Sequence, residues 1–158
     1  MPFKEDLKKW MDMEETIIEL LSEDLHLFKN PKEKEADLLI VEHSAEVKYD
    51  VSSYKYWNYF LEVECNWKRS WVYKEEKIPV KWWIHTDWEE ALLINMKFLR
   101  RWVENRMNEC NANSSKTSRW ARIIESGWDW GRVKWIVVPK DELRNIAYKI
   151  YYLNKKNE

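Results

Sequence analysis

Between residues 38 and 65 the hydrophobic period of this chain drops from about 3.6 to 2, and that switch fixes the class of fold open to it. Upstream, Phe3, Leu7, Trp10, Ile17, Ile18, Leu21, Leu25 and Phe28 recur at spacings close to three and four, which predicts an amphipathic helix over 3–28. Asn30-Pro31 breaks it. Residues 38–41 form a short apolar run. From 44 to 50 the alternation is clean, with Ala45, Val47 and Tyr49 on one face and Glu46, Lys48 and Asp50 on the other. A third strand is predicted over 56–65, with Trp57, Tyr59, Leu61 and Val63 opposing Asn58, Phe60, Glu62 and Glu64.

Further strands are predicted at 81–86, 91–94 and 135–138, with helices over 96–109 and from Asp141 to about 153. Residues 111–118 read as a loop. The order describes a mixed α/β chain (α+β with a mixed sheet): a helix, then a three-stranded antiparallel meander, then alternating elements. At 158 residues the length suits one domain, in which 96–130 stands out as a helical and loop insertion.

Composition excludes several classes. With only 2 Gly and 4 Pro the chain is neither low-complexity nor linker-rich. Cys65 and Cys110 form no C-x-x-C, and His26, His43 and His85 form no H-x-x-x-H, so neither a zinc site nor a disulfide scaffold is expected. No apolar run approaches the ~20 residues that span a bilayer. The first ten residues carry no signal-peptide core, and a cytoplasmic protein without membrane contact is expected.

Charge is unevenly placed. Residues 1–50 hold 7 basic and 14 acidic side chains, a net −7, whereas 51–158 hold 20 and 14, a net +6. Lys97, Arg100, Arg101, Arg106, Lys116, Arg119 and Arg122 lie within 26 residues that contain only Glu104 and Glu109 as acids. An acidic site beside a basic surface suits a polyanion processed with the help of a cation.

The acidic site can be located by register. A hairpin turning at Glu42-His43 pairs Val41 with Ser44, Leu39 with Glu46 and Asp37 with Lys48, placing Asp37, Glu46 and Lys48 on one face. If Asp50 pairs with Tyr56, the third strand sets Asn58, Phe60 and Glu62 opposite Lys48, Glu46 and Ser44. Two carboxylates on adjacent strands suit Mg²⁺, which takes oxygen ligands and binds through one or two carboxylates plus phosphate oxygens. A lysine two residues along can hold water or phosphate without competing for the metal. The spacing alone is common: Asp6-Leu7-Lys8 and Glu75-Glu76-Lys77 also match it, but on a predicted helix and a loop.

The helix, the segment DLLIVEHSAEVKYD, the strand WNYFLEVEC and the later WIVVPKDELRNI together resemble the PD-(D/E)xK nuclease superfamily, particularly its small phage and archaeal-virus members. The resemblance covers about residues 15–86 and 132–150. It implies a restriction-endonuclease-like core, a Mg²⁺- or Mn²⁺-dependent deoxyribonuclease, Asp37 and Glu46 as metal ligands, and Lys48 as the catalytic lysine. A further Glu from the first helix, Glu19 or Glu15, or Glu62 on the third strand, would assist. DNA is the implied partner, held by the basic residues of 97–122, and a homodimer would bring two sites to a duplex. Ala36 replaces the family's nominal Pro, and the small turn after the third strand is represented only by Arg69-Ser70-Trp71. A nuclease-like fold that binds nucleic acid or acts as an inhibitor without turnover is the rival reading. A Trp-rich carbohydrate-binding module is the second rival.

The 12 Trp divide by context. Trp57, Trp82, Trp102 and Trp135 are expected in the core, whereas Trp67, Trp71, Trp120, Trp128 and Trp130 sit in polar or turn contexts suited to stacking. His85 is expected to be structural, with a hydrogen-bonded pair to Asp87 near the site as the alternative, and Tyr148, Ile150, Tyr151 and Tyr152 are expected on the packed face of the last helix.

Overall fold

The computed structural model describes residues 8, 11–13, 15–19, 27–29, 38–40, 43–50, 53–73, 80–118, 121–128 and 131–153. The described residues of 8–19 are helical and form α1. There follow β1 (Leu27–Lys29), β2 (Leu38–Ile40), β3 (His43–Tyr49), α2 (Ser53–Tyr56), β4 (Asn58–Cys65), β5 (Lys68–Arg69) and a 3-10 turn at Trp71–Tyr73. The second half holds β6 (Trp82–Thr86), β7 (Glu90–Asn95), α3 (Met96–Asn111), β8 (Arg122–Trp128), β9 (Gly131–Pro139), α4 (Lys140–Ile146) and β10 (Lys149–Tyr152).

The strands form two sheets, a six-stranded one in the order β1-β2-β3-β6-β7-β10 and a four-stranded one in the order β5-β4-β9-β8. Only β3 and β6 run parallel; every other described pairing is antiparallel. Alternation sorts the central strands between two cores. Ala45, Val47, Ile84 and Leu93 pack against Met13 and Ile17 of α1. Trp83, Leu92 and Ile94, on the other face, pack against Tyr59, Leu61, Ile136 and Val138 of the second sheet and Leu99, Trp102 and Val103 of α3. With both faces covered, β7 is buried from Glu90 to Ile94, which is why its sequence is almost continuously apolar. Asn95 caps α3, its side-chain oxygen accepting the Phe98 amide at 3.2 Å. The 96–130 stretch supplies Leu99, Trp102, Val103, Cys110 and Ala121 to this core rather than standing apart from it. No helix among the described residues is long and apolar enough to cross a membrane.

Four expectations are corrected. The third strand forms as β4, with Tyr59, Leu61 and Val63 inward, but it joins the second sheet instead of completing a meander on β3. The reason lies in the connection. Asp50 accepts the Ser53 amide at 3.1 Å and so caps the single turn of α2, and Trp57 then takes a left-handed φ of 57°. A hairpin would keep the chain in the plane of the first sheet; this corner carries it into the next layer. The first helix does not extend to Phe28, because 27–29 is β1. The last helix stops at Ile146, and β10 pairs with β7, burying Tyr151 while exposing Tyr148 and Tyr152. Finally, β8 and the first half of β9 pair over residues 122–134, for which the sequence predicts no strand.

The hairpin between β4 and β5 turns through Asn66 (φ 49°) and Trp67 (φ 65°), the pair of positive dihedrals that matches strand twist. Gly131 meets it with φ 126°, and a Cβ there would lie 1.6 Å from the Asn66 Oδ1 that accepts the Arg132 amide. Gly131→Ala is expected to destabilise by about 1–3 kcal/mol, lowering the melting midpoint by several degrees. Gly127→Ala, with nothing within 4 Å of the new Cβ, should stay within about 0.5 kcal/mol of wild type. Equal midpoints for the two variants in calorimetry would contradict this account of the turn.

Candidate active site

On β3, alternation turns Glu46 and Lys48 to the same face, away from α1, and the Lys48 ammonium contacts Glu46 Oε1. The two side chains keep 16% and 19% of their surface, so the pair is sheltered yet open to water. On one side β3 pairs with antiparallel β2, and on the other with parallel β6, where Glu46 faces Trp83 and Lys48 faces His85.

The β2–β3 hairpin is present, shifted by two residues from the expected register: Leu38 pairs with Ala45 and Leu39 with Ser44, in place of Leu39 with Glu46. A shift of two preserves faces, where a shift of one would reverse them. Asp37 lies outside the described residues; it is bonded to Leu38, whose partner Ala45 adjoins Glu46. Glu62 is not beside Glu46, because β4 belongs to the other sheet and Glu62 sits on its outer face, taking the Ser70 hydroxyl. Glu15 and Glu19 are exposed on α1, whose buried side packs on the opposite face of β3 from Glu46.

The basic residues sort into committed and available groups. Arg100 donates to the Val72 carbonyl at 2.6 Å, and Arg106 is held by both oxygens of Glu109 at 2.7 Å while lying over Trp102. Lys97, Arg101, Lys116 and Arg122 are exposed, and Arg119 lies outside the described residues.

A second polar cluster was not foreseen. At the carboxyl ends of β3 and β6, Asp87 Oδ2 accepts Lys140 Nζ at 2.5 Å and Ser53 Oγ at 2.9 Å, and Asp87 Oδ1 takes the amides of Glu89 and Glu90. Tyr59 donates to Glu90 Oε1 at 2.6 Å, and Arg144 Nε reaches both Glu90 oxygens at 2.8 and 3.0 Å. His85 does not pair with Asp87. Its Nε2 meets Asp50 Oδ2 at 3.2 Å and its Nδ1 accepts the Trp83 indole at 3.3 Å, so the Nε2 proton is the one given to Asp50.

Burial would push the Asp87 carboxyl up, but the Lys140 hydrogen bond, the two amides and Ser53 together hold it below its usual value. Burial likewise pulls Lys140 down, and the hydrogen bond and charge of Asp87 more than restore it. Burial, then the Glu90 hydrogen bond, raise the Tyr59 hydroxyl well above its ordinary value. Lys140 and Asp87 keep 0% and 1% of their side-chain surface, and the Trp57 ring lies 5.0 Å from Lys140 Nζ. With its charges matched and closed to solvent, the cluster binds the two sheets and α4 together. Water reaches the Glu46 and Lys48 side chains but not that of Asp87.

One signal in the sequence pointed to Lys140. It opens a helix whose first turn otherwise holds Asp141 and Glu142, and a cation there opposes the helix dipole unless a buried acid compensates it. Among the aromatics, Trp102 is buried and Trp67 exposed, as their contexts predict, but Trp57 is 59% exposed rather than core. Trp120 and Trp130 lie outside the described residues.

Among the described residues no group of three or more His, Cys, Asp and Glu side chains is arranged to hold a metal ion. The chemistry of the donors nonetheless fits a hard cation: Glu46 offers carboxylate oxygen in a part-open position, and Mg²⁺ needs only one or two such ligands beside water and phosphate. The sequence matches no protein-family model, no curated protein and no solved structure.

Proposed function

We propose that this protein is a divalent-metal-dependent nuclease that hydrolyses DNA phosphodiester bonds at Glu46 and Lys48, with Asp37 as the second carboxylate. The observation that carries the reading is the Glu46–Lys48 pair, side by side and part-exposed on a strand paired to the one that Asp37 precedes. The succession α1-β1-β2-β3, with the acids at the second and third strands, supports a restriction-endonuclease-like core. The Glu46 and Asp37 carboxylates would hold Mg²⁺ or Mn²⁺, which would supply positive charge near the reacting phosphate and lower the pKa of a bound water. Lys48 donates to the attacking water or to a non-bridging phosphate oxygen, and its mobile ammonium follows the charge as it builds. Attack is in line with the departing oxygen. Lys97, Arg101, Lys116 and Arg122, rather than the committed Arg100 and Arg106, hold the phosphate backbone, which makes binding fall steeply with salt.

The test is incubation with linear and circular DNA in Mg²⁺, Mn²⁺ or EDTA, alongside Glu46→Ala. Metal-dependent loss of DNA that vanishes in the variant is the expected result, and circles that survive would indicate an exonuclease. Intact DNA with the wild-type protein under every condition overturns the assignment. Salt-sensitive DNA binding in that case would establish the rival, a binding protein without turnover.

A further inference from the structure

At the start of α3 an open groove of about 500 Å³ is lined by Asn95, Lys97, Phe98, Arg101, Ile146 and Tyr148. Its chemistry is selective. Phe98 and Tyr148 are 51% and 73% exposed, and Tyr148 lies just beyond the end of α4, where the sequence predicts that the helix continues. One edge of the Tyr148 ring rests on Trp82, with centroids 5.6 Å apart and planes at 54°, which steadies the ring without covering it. Lys97 and Arg101 stand one helical turn apart, and neither makes an ion pair among the described residues. No carboxylate lines the groove among the described residues.

Open aromatic faces flanked by uncompensated cations match a ligand that alternates π surfaces with negative charge. We infer that this groove binds single-stranded nucleic acid, with unpaired bases stacking on Phe98 and Tyr148 and adjacent phosphates held by Lys97 and Arg101. A duplex keeps its base faces stacked on one another, so it satisfies the cations and leaves the aromatics unused. Ala45, Trp82 and Asn95 form one row of the first sheet, and Ala45 faces α1, on the opposite side of the sheet from Glu46. The inference goes beyond cleavage and holds whether or not Glu46 cuts.

Fluorescence anisotropy in EDTA separates the two. Labelled oligo-dT and oligo-rU are titrated against a duplex of equal length, using wild type, Phe98→Ala, Tyr148→Ala and the double variant Lys97→Ala/Arg101→Ala, each confirmed folded by circular dichroism. Each aromatic variant should weaken single-strand binding about tenfold or more while leaving duplex binding within about twofold. The double variant should weaken both and flatten the salt dependence for single strands by roughly 0.7 per lost phosphate contact. Aromatic variants that bind oligo-dT and oligo-rU as wild type does, or that lose duplex binding equally, overturn the inference. So does wild-type protein that binds neither single strand. Glu46→Ala should bind single strands normally, so an inactive Glu46 and an empty groove give different results.

Discussion

Asp87→Ala is expected to lower stability by up to about 3–5 kcal/mol, because it leaves the buried Lys140 ammonium with only the part-exposed Glu89, 3.4 Å away, as counter-charge. The same change takes the Asp87 acceptor from the amides of Glu89 and Glu90, while the Ser53 hydroxyl keeps the Asp50 carbonyl. For a chain of this length the melting midpoint should fall by roughly 6–20 °C. Adding Lys140→Met removes the stranded charge, so the double variant should be more stable than the two single losses predict. The pH dependence follows from the directions of the shifts. A carboxyl held below its usual value contributes stability above the unfolded value near 3.9 and loses it as pH falls through the lower folded value. Lys140, raised, contributes below its unfolded value near 10.4 and loses that as pH rises through the higher one. The deficit of Asp87→Asn relative to wild type should therefore hold steady between about pH 5 and 9 and shrink below about pH 4. Urea titrations at neutral and acid pH that give the same deficit would show that the ion pair is not its source.

Lys48→Ala should reduce the rate of DNA cleavage by about 10²–10³ at saturating metal and DNA, the effect of removing one donor aimed at a developing negative charge. Stability should change by no more than about 1 kcal/mol, since Lys48 and Glu46 are part-exposed and water takes over their solvation. Most of the loss belongs in kcat, because the proposed mechanism assigns the phosphate backbone to Lys97, Arg101, Lys116 and Arg122 rather than to Lys48. Lys48→Arg should recover little, as a planar guanidinium cannot follow the charge as a short, rotatable ammonium does. A loss confined to KM would demote Lys48 to one more backbone contact, and the proposed site would lose its only electrophile among the protein's own groups.

Strand faces are legible in this sequence where strand neighbours are not, for a physical reason. Alternation is local, so Glu46 and Lys48 were legible as neighbours on one strand face, and a two-residue slip of the hairpin left that unchanged. Which strand lies beside which is decided at a distance. Nothing local in residues 56–65 distinguishes a third meander strand from β4 of another sheet; the turn capped by Asp50 and the left-handed Trp57 make that choice. Glu62 left the site with it. Residues 147–152 carry aromatics at spacings that suit a helix or a strand, and pairing with the edge of β7 settles them as β10. The buried charges at Asp87 and Lys140 were hidden because they lie 53 positions apart, and only the dipole-opposing lysine betrayed them.

The order in which the two sheets draw on the chain has its own consequence. The first takes β1 to β3, then β6, β7 and β10; the second takes β4, β5, β8 and β9. Threaded through one another in this way, each sheet is interrupted in sequence by strands of the other. No single cut separates one whole sheet from the strands of the other, so truncations should fail to fold instead of releasing a stable half. On the ribosome, β7 must wait for β10 while β4 waits for β9, leaving strand edges exposed until most of the chain has emerged. This protein is built to form late and all together, and a chaperone that shields strand edges should matter more to its yield than any improvement of its core.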